Sequence, residues 1–450
     1  MAKASLNGLS SDLAGGADTI VARATASGRG ALAVIRVSGS ESAGIGRRLC
    51  PGLQFSRGWE AAVVELFDAD GESLERAVAV PYPGPRSYTG EDMLEVSVHG
   101  SPYLVEAAIE TCIAAGARRA EAGEFTRRAV ANGKLDLIQA EAVADLIAAD
   151  SANQLRNARE QMAGRLSAEF LDLRRMLVGL LAFFEAALDY EAQGVVVEAG
   201  HIAERLGECR VQLQELLQTA AAGERIRGGL RVVILGPPNA GKSTLFNCLC
   251  GSERAIVSPQ PGTTRDVIDA EVEISGVRIV LQDTAGLRVG GDTVEAEGHR
   301  RAKSAAAAAD LAVFLWPTDA EEPEPAVDAM AGLEVIRVRS KADLGVAEES
   351  ETGWLAVSGV TGQGVDELRA EIAAIAGAEI VDLGGSVAIG ARHRVALDRA
   401  REELEGCEVS RPEMAAERVR WAIRAIEEMI GAVETEEVLD EVFSSFCIGK

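Results

Sequence analysis

The residues best suited to chemistry in this chain lie at positions 236–243, which read GPPNAGKS. They follow an apolar run at 230–235, so they join a predicted strand to a predicted helix. This spacing matches a phosphate-binding P-loop, whose backbone N–H groups surround phosphate oxygens. Lys242 would supply a point charge to the β- and γ-phosphates, and Ser243 would bind Mg²⁺. The nucleotide contacts predicted from this loop are Asn239, Ala240, Gly241, Lys242, Ser243 and Thr244.

Two further phosphate-binding elements follow in the order that nucleotide hydrolases require. Thr264, in the segment PGTTRD, can complete the Mg²⁺ shell when a γ-phosphate is present. Asp283, at the end of an apolar strand, can hold a Mg²⁺-bound water, and the amide of Gly286 can sense the γ-phosphate. The contacts predicted from the DTAG segment are Asp283, Thr284, Ala285 and Gly286. Three elements in this order predict a nucleotide hydrolase.

The base-reading element is predicted at residues 340–343, which read SKAD after the predicted strand 333–338. Asp343 can accept hydrogen bonds from both guanine N–H donors, which adenine lacks, and Lys341 can lie across the base. GTPases usually have asparagine where this chain has Ser340, and this departure would weaken purine affinity. Ser358 and Gly359 form a degenerate version of the last base-contacting loop. The predicted nucleotide is therefore GTP.

The group that orients the attacking water is not evident from the residues alone. Leu287 stands where Ras-like enzymes have a glutamine for this task. Either hydrolysis is slow or another group substitutes. The transition state also needs a counter-charge, and arginine fingers elsewhere contribute about 10³–10⁵ in rate. Arg265 and Arg288 are near in sequence, but arginines at such positions are more often structural or partner-binding.

Composition limits what else the chain can be. Its 450 residues carry 70 acidic and 45 basic side chains, a net charge of −25, which argues against a protein that coats nucleic acid. RNA contact would need a local basic patch or a partner.

The cysteines and the apolar runs limit the cellular setting. The seven cysteines lack zinc-type spacing. The longest apolar run near a helix, 176–184, is far short of the roughly 20 residues of a membrane span. We expect a cytoplasmic protein with reduced thiols and no membrane association.

Three regions differ in pattern. Residues 1–133 mix predicted strands (31–37, 61–67, 77–81 and 93–98) with a helix at 103–115, which indicates an α+β domain. From 135 to 219 the apolar spacing is helical, and no proline occurs between Pro102 and Pro237. Strands at 230–235, 278–282, 311–315 and 333–338 then alternate with helices, which is typical of a doubly wound α/β domain. A helical pattern resumes after residue 385, so the α/β unit is predicted to be inserted into a helical domain.

Several segments together closely resemble the tRNA modification GTPase family MnmE, also called TrmE. The resembling segments are DTIVA (18–22), GRG (28–30), RVSG (36–39), YTGED (88–92), GEFT (123–126), NGKLD (132–136) and FCIGK (446–450), in addition to the P-loop. The resemblance covers nearly the whole chain, and its C-terminal segment is the most specific part.

The resemblance implies a multidomain α+β and α/β architecture with three parts. These are an α+β folate-binding and dimerisation domain (1–133), an all-α helical domain (134–226 and 379–450), and an inserted P-loop, Ras-like α/β G domain (227–378). It implies a homodimer and a heterotetramer with the flavoprotein MnmG (GidA), which carries FAD. The complex would add an aminomethyl-type group, commonly carboxymethylaminomethyl, to carbon 5 of the tRNA wobble uridine. A 5-formyl- or 5,10-methylene-tetrahydrofolate would be the folate cofactor, and the one-carbon unit would come from methylenetetrahydrofolate.

The resemblance also implies roles for single residues. Potassium would act as the counter-charge beside the phosphates, with the ligands Asn239, Ser258, Gln260 and Thr263; Ser258 and Thr263 would also contact the nucleotide. Glu295 would orient the attacking water, and Ser243 and Thr264 would bind Mg²⁺. Folate would contact Arg36, Glu95, Lys134 and Lys450. The apolar residues Phe443, Phe446 and Ile448 could anchor the C-terminal tail, and Cys447 is either a nucleophile or a packed thiol.

Two other functions remain open on the residues alone. A ribosome-assembly GTPase of the Era/Der type would share the G domain, but it needs a basic RNA-binding domain. Residues 398–450 instead hold 14 acidic and 7 basic side chains, which disfavours it. A nucleotide-gated scaffold for another enzyme overlaps the main hypothesis. The amine donor, glycine or ammonium, and the set of tRNAs are left open.

Overall fold

The computed structural model describes residues 18–55, 58–191, 199–251, 268–283, 309–320, 333–345, 353–376, 389–431, 439, 442–443, 446 and 448–450. The chain divides into two compact units. The first contains Met1–Ala144, Gln161–Cys209 and Arg399–Lys450, and the second contains Asp145–Glu160 and Arg210–Asp398.

The N-terminal part is a six-stranded sheet with three helices. Its elements are β1 Thr19–Arg23, β2 Gly30–Ser38, α1 Ser42–Leu49, β3 Ala62–Phe67, β4 Ser73–Tyr82, β5 Met93–Gly100, α2 Pro102–Ala114, β6 Ala117–Arg119 and α3 Glu124–Ala131. The strand order is β3-β4-β5-β2-β1-β6, and β1–β6 is the parallel pair. The four predicted strands and the predicted helix are confirmed. The short elements β1, β6, α1 and α3 were not predicted, because segments of eight residues or fewer show little hydrophobic periodicity.

Strand alternation separates the core from a second, functional face of this sheet. On β2, Ala33, Ile35 and Val37 are buried in the core, so Arg36 points to the opposite face. Register then pairs Arg36 directly with Glu95 on β5. The sheet thus places a cation and an anion side by side on the face away from the core.

The helical stretch predicted after residue 134 is confirmed. It comprises α4 Leu137–Ala148, α5 Ala152–Met162, α6 Arg165–Glu191 and α7 Ala199–Gly228. One face of α6 buries leucine and phenylalanine side chains at helical spacing, namely Phe170, Leu173, Leu177, Leu180 and Phe184. Among the described residues, no helix combines the length and the apolarity that crossing a bilayer needs.

The inserted α/β part is a second six-stranded sheet. Its elements are β7 Leu230–Leu235, α8 Lys242–Cys250, β8 Ile268–Ile274, β9 Val277–Asp283, β10 Leu311–Pro317, β11 Glu334–Ser340, β12 Trp354–Val357 and α9 Val365–Ile375. The order is β12-β11-β10-β7-β9-β8, parallel except for the β8–β9 hairpin. Near-continuous apolar strands such as β7 and β10 are buried on both faces, as parallel sheets require. The predicted doubly wound domain and its four predicted strands are confirmed.

Within residues 389–431 the structure describes two further helices, α10 Ala391–Glu405 and α11 Pro412–Ile430. The start of α11 at Pro412 and its end at Gly431, which has φ 75°, match the usual positions of these residues at helix ends. Its apolar face packs beside α6, where Arg174 Nε donates to Glu427 at 2.8 Å. Together these elements confirm the predicted fold class.

Candidate functional site

The P-loop residues lie between the end of β7 and the start of α8. Asn239 and Gly241 both have positive φ, 63° and 88°, so the loop curls before the helix begins. Ala240 is fully buried, while the side chains of Ser243 and Thr244 are exposed at the helix N-terminus. Lys242 Nζ donates to Gly236 O at 2.9 Å and to Pro237 O at 2.8 Å, which holds the ammonium inside the curl. A helix N-terminus beside an ammonium suits phosphate groups.

The other nucleotide elements follow the same sheet edge. Parallel strands end at one edge, and β9, β10, β11 and β12 all have their carboxyl ends at the edge where the P-loop follows β7. Asp283 is the last residue of β9. The predicted residues that lie outside the described part of the chain are Ser258, Gln260, Thr263, Thr264, Thr284, Ala285, Gly286 and Glu295.

The predicted base-reading residues lie together at the ends of β11 and β12. Ser358 is fully buried, and its Oγ is 2.5 Å from Asp343 Oδ1, so the hydroxyl orients the carboxylate. A Cβ added at Gly359 would lie 3.1 Å from Leu245 N on α8, so the loop approaches the P-loop helix closely. Lys341 has φ 60°, in the left-handed region. The structure brings these residues next to the P-loop helix although about 100 residues separate them in sequence.

A second cluster of predicted residues lies in the first unit. Arg36 Nε donates to Glu95 Oε1 at 2.8 Å, and Arg36 Nη1 donates to the carbonyl of Gly449 at 3.1 Å. The Arg36 guanidinium also lies 5.5 Å from the ring centre of Tyr88 and 5.6 Å from that of Phe125. We call Arg36, Glu95, Tyr82, Gly449 and Lys450 the tail pocket.

The chain terminus reaches this pocket through close backbone contacts. Ile448 forms an antiparallel bridge with Ala122. Gly449 has φ 99°, and a Cβ there would lie 2.2 Å from Arg23 O, so only glycine fits this approach. Phe443 and Phe446 are buried and pack together at 5.4 Å between ring centres, as predicted. The expected anchoring by Ile448 is wrong for its side chain, which is 63% exposed, because its backbone makes the contact instead.

Charged groups of both signs meet in the tail pocket. Burial lowers the pKa of Lys450, the nearby Arg36 lowers it further, and Glu95 offsets part of the shift. Because Arg36 is also paired with Glu95, whose Oε1 lies 2.7 Å from Arg36 Nη2, the pocket offers a ligand both cationic donors and a carboxylate acceptor. Cys447 lies outside the described residues.

Lys134, also predicted for this pocket, lies on a neighbouring loop. Its Nζ donates to Pro85 O at 2.9 Å, between β4 and β5. This contact fastens the loop that contains the YTGED segment. Within the described residues, the ammonium of Lys134 is hydrogen-bonded to that loop and not to Arg36 or Glu95.

Buried polar residues that sequence reasoning missed support the same loop. Arg128 is almost fully buried and pairs with Asp18, Glu91 and Glu124. Burial alone would raise the pKa of Glu124, but hydrogen bonds from Arg118, the Glu121 N–H and Arg128 hold it below its usual value. The sequence signal for Arg128 is weak. Arginines in the last turn of a short helix are common on protein surfaces, so its position in α3 did not indicate that it is buried.

Tyr82 is the second missed residue. Its hydroxyl donates to Glu95 Oε2 at 3.4 Å, and its ring packs edge-on against Trp59 at 4.9 Å. Strand alternation could have placed Tyr82 on the face of Arg36, but only the register of β4 against β5 brings it near Glu95. The carboxylate thus has partners on both sides.

A P-loop at a parallel sheet edge, followed by a base-reading loop at the end of β11, defines this protein as a P-loop GTPase with additional domains. A family profile described as GTP-binding protein TrmE N-terminus matches residues 19–134, and one for the MnmE helical domain matches residues 137–447. The chain belongs to the MnmE (TrmE) family of tRNA modification GTPases.

Individual relatives agree over the full length. The tRNA modification GTPase MnmE of Xanthomonas campestris pv. campestris is 40% identical over 444 residues, 96% of this chain and 99% of that protein. The protein of the same name from Phenylobacterium zucineum is 42% identical over 446 residues, 96% and 100% of the two chains. The solved G domain of the T. maritima FeoB iron transporter is 25% identical and covers 33% of this chain and 98% of that chain, with a TM-score of 0.26.

Proposed function

We propose that this chain is a potassium-activated GTPase that works with a flavoprotein partner of the MnmG (GidA) type on tRNA. The product would be an aminomethyl-type, commonly carboxymethylaminomethyl, group on carbon 5 of the wobble uridine. The observation that carries the proposal is the tail pocket, where Arg36, Glu95 and the chain terminus meet in a domain of this family. A GTPase that only assembles ribosomes has no need of such a pocket.

The tail pocket suits a 5-formyl- or 5,10-methylene-tetrahydrofolate. Arg36 and Lys450 offer cationic donors to glutamate carboxylates, and Glu95 offers acceptors to pterin N–H groups. Folate, when bound, would supply the one-carbon unit, and FAD would belong to the partner. This chain's residues would bind and orient the folate. Lys134 would join them only if the loop at Pro85 releases its ammonium.

The nucleotide site suits GTP with Mg²⁺ and K⁺. Lys242 would move from the loop carbonyls to the phosphates, Ser243 would bind Mg²⁺, and Asp283 would hold a metal-bound water. The exposed Asn239 side chain, held at φ 63° beside the P-loop, offers an oxygen ligand for K⁺. K⁺, when bound, would supply the counter-charge that an arginine finger supplies in other GTPases. Ser258, Gln260, Thr263, Thr264 and Glu295 would complete the site.

A homodimer and a heterotetramer with the flavoprotein are part of the proposal. On the sheet face that carries Arg36, register places Val63 opposite Val78, and these side chains are 65% and 41% exposed. An exposed apolar pair on this sheet face supports a contact between two copies. We infer that the tail pockets lie near that contact.

Reconstitution tests the whole proposal. The full chain, the flavoprotein, methylenetetrahydrofolate, GTP and tRNA are combined in K⁺ or Na⁺, and wobble nucleosides are measured by mass spectrometry. We expect modified uridine in the complete K⁺ reaction and its loss when folate is omitted. GTP hydrolysis should also be faster in K⁺, since Na⁺ is too small for the same oxygen ligands. Equal hydrolysis in both salts, or modification without folate, contradicts the proposal.

A further inference from the structure

The loop that reads the base is held from the end of β10. Ser340 O, at the end of β11, accepts hydrogen bonds from Thr318 N at 3.0 Å and from Thr318 Oγ1 at 2.5 Å. The residues that follow Thr318 and Ser340 are also in contact. Lys341 Nζ lies 3.2 Å from Asp319 Oδ2 and 3.4 Å from Asp319 Oδ1. Two consecutive residues after β10 therefore hold two consecutive residues of the base-reading loop.

The backbone of this loop has an uncommon conformation. Lys341 has φ 60°, which costs free energy for a residue with a long side chain. Such a conformation persists only where neighbours determine it. Here the Leu344 N–H donates to Lys341 O at 3.0 Å, and Thr318 fixes the preceding carbonyl. The strain lies at the residue expected to cover the base.

The side chain of Ser340 does not hold the loop. Its Oγ is buried and has no hydrogen-bond partner among the described residues. GTPases usually have an asparagine here, whose longer amide could reach neighbouring groups. In this chain the support passes instead through the carbonyl of Ser340, and Thr318 provides it.

We propose that Thr318 and Asp319 are positioning residues for guanine recognition. Thr318 sets the path of the loop and so the placement of Asp343 against the guanine N–H donors. Asp319 sets the ammonium of Lys341 along the face of the base. The proposal rests on the proposed GTPase function, and on the sequence-based prediction that Lys341 and Asp343 contact the guanine base.

The alternative is an ordinary surface ion pair. Asp319 is about half exposed, and such pairs contribute little. The two interpretations predict opposite effects on nucleotide affinity when the carboxylate of Asp319 is removed. Removal of a carboxylate near an anionic nucleotide should strengthen binding by charge alone, whereas loss of a positioning contact should weaken it.

Binding titrations of GDP and IDP to the full chain test the proposal. IDP lacks the 2-amino group, so the GDP/IDP preference reports how well Asp343 is placed. We expect Thr318→Val to weaken GDP binding about 3- to 10-fold and to reduce the GDP/IDP preference. Asp319→Asn should weaken both nucleotides about three- to fivefold with the preference unchanged. Thr318→Ser and Asp319→Glu, which keep the hydroxyl and the charge, should restore binding.

One variant serves as a matched control. Glu334→Gln removes an exposed carboxylate at the other end of β11 and measures the effect of charge alone. Thermal unfolding of each variant separates positioning from a failure to fold.

The outcomes distinguish failure of the proposal from failure of the base assignment. Asp343→Asn should shift preference from guanine toward xanthine nucleotides. If it does, and Thr318→Val and Asp319→Asn bind GDP and IDP as the unaltered chain does, the positioning roles are wrong. If Asp343→Asn keeps its guanine preference, the base lies elsewhere, and the roles of Thr318 and Asp319 fall with it.

Discussion

The nucleotide site and the tail pocket are built in opposite ways. The predicted nucleotide-binding residues follow the ends of strands in one parallel sheet, which places these ends along a single edge, so each short motif keeps its own local geometry. The tail pocket depends on Arg36 and Gly449, which are 413 positions apart in sequence. Its geometry exists only when the chain terminus docks. A change in the tail should therefore act on one function and leave the other intact.

Deletion of residues 446–450 is expected to have the largest effect of that kind. It removes Lys450, the Gly449 carbonyl that Arg36 contacts, and the buried Phe446. We expect tRNA modification to be abolished and folate binding to weaken, while K⁺-stimulated GTP hydrolysis stays within about twofold. Nucleoside analysis, folate titration and phosphate release measure the three functions.

Gly449→Ala is the milder form of the same test. Its Cβ would collide with Arg23 O, so the tail should undock although every charged group is present. Full modification by the truncated protein, or equal loss of hydrolysis and modification, would break the separation between the two regions.

Glu295→Ala is the converse change, on the nucleotide side. Glu295 is proposed to orient the attacking water and lies outside the described residues. We expect hydrolysis to fall about 100-fold or more with GTP affinity nearly unchanged, since the loss is confined to the transition state. Folate binding should not change. A large loss of nucleotide affinity with turnover preserved would show that the role is wrong.

Arg128→Met tests how the tail pocket is supported. The arginine is buried among Asp18, Glu91 and Glu124, so its loss leaves carboxylates without their counter-charge. We expect the free energy of unfolding to fall by about 3–5 kcal/mol, as measured by urea titration.

The control variant is Arg119→Met, which removes an exposed arginine paired with Glu106 and Glu110. It should lower the free energy of unfolding by less than about 1 kcal/mol. Equal losses of unfolding free energy in the two variants would show that burial does not make the ion pairs of Arg128 more stabilising than those of Arg119.

The smallest expected effect is a pH dependence of ligand binding. The cationic form of Lys450 attracts an anion, and burial with Arg36 lowers its pKa below the ordinary value of 10.5. Deprotonation therefore begins at lower pH than for an exposed lysine, and folate affinity should fall as pH rises toward 10.5. Lys450→Arg should remove this fall, because a guanidinium stays charged. An identical pH profile for both proteins would remove Lys450 from the site.

Much of the nucleotide site could be predicted because its motifs are local. The P-loop spacing requires a strand, a curled loop and a helix, and the structure has β7, the curl at Asn239 and Gly241, and α8. The contacts that hold the base loop could not be predicted, because Thr318 and Ser340 meet only through the pairing of β10 with β11.

By itself the sequence determined the fold class, the longer helices and strands of each region and the family, since periodicity, loop chemistry and motif spacing depend on neighbouring residues. Tertiary structure alone decided which distant residues meet. Register pairs Arg36 with Glu95, burial of Phe443 and Phe446 brings the terminus to the sheet, and the close approach at Gly449 admits no side chain. The physical reason is that such contacts follow from packing and register over hundreds of positions, where a shift of one residue turns a side chain to the other face.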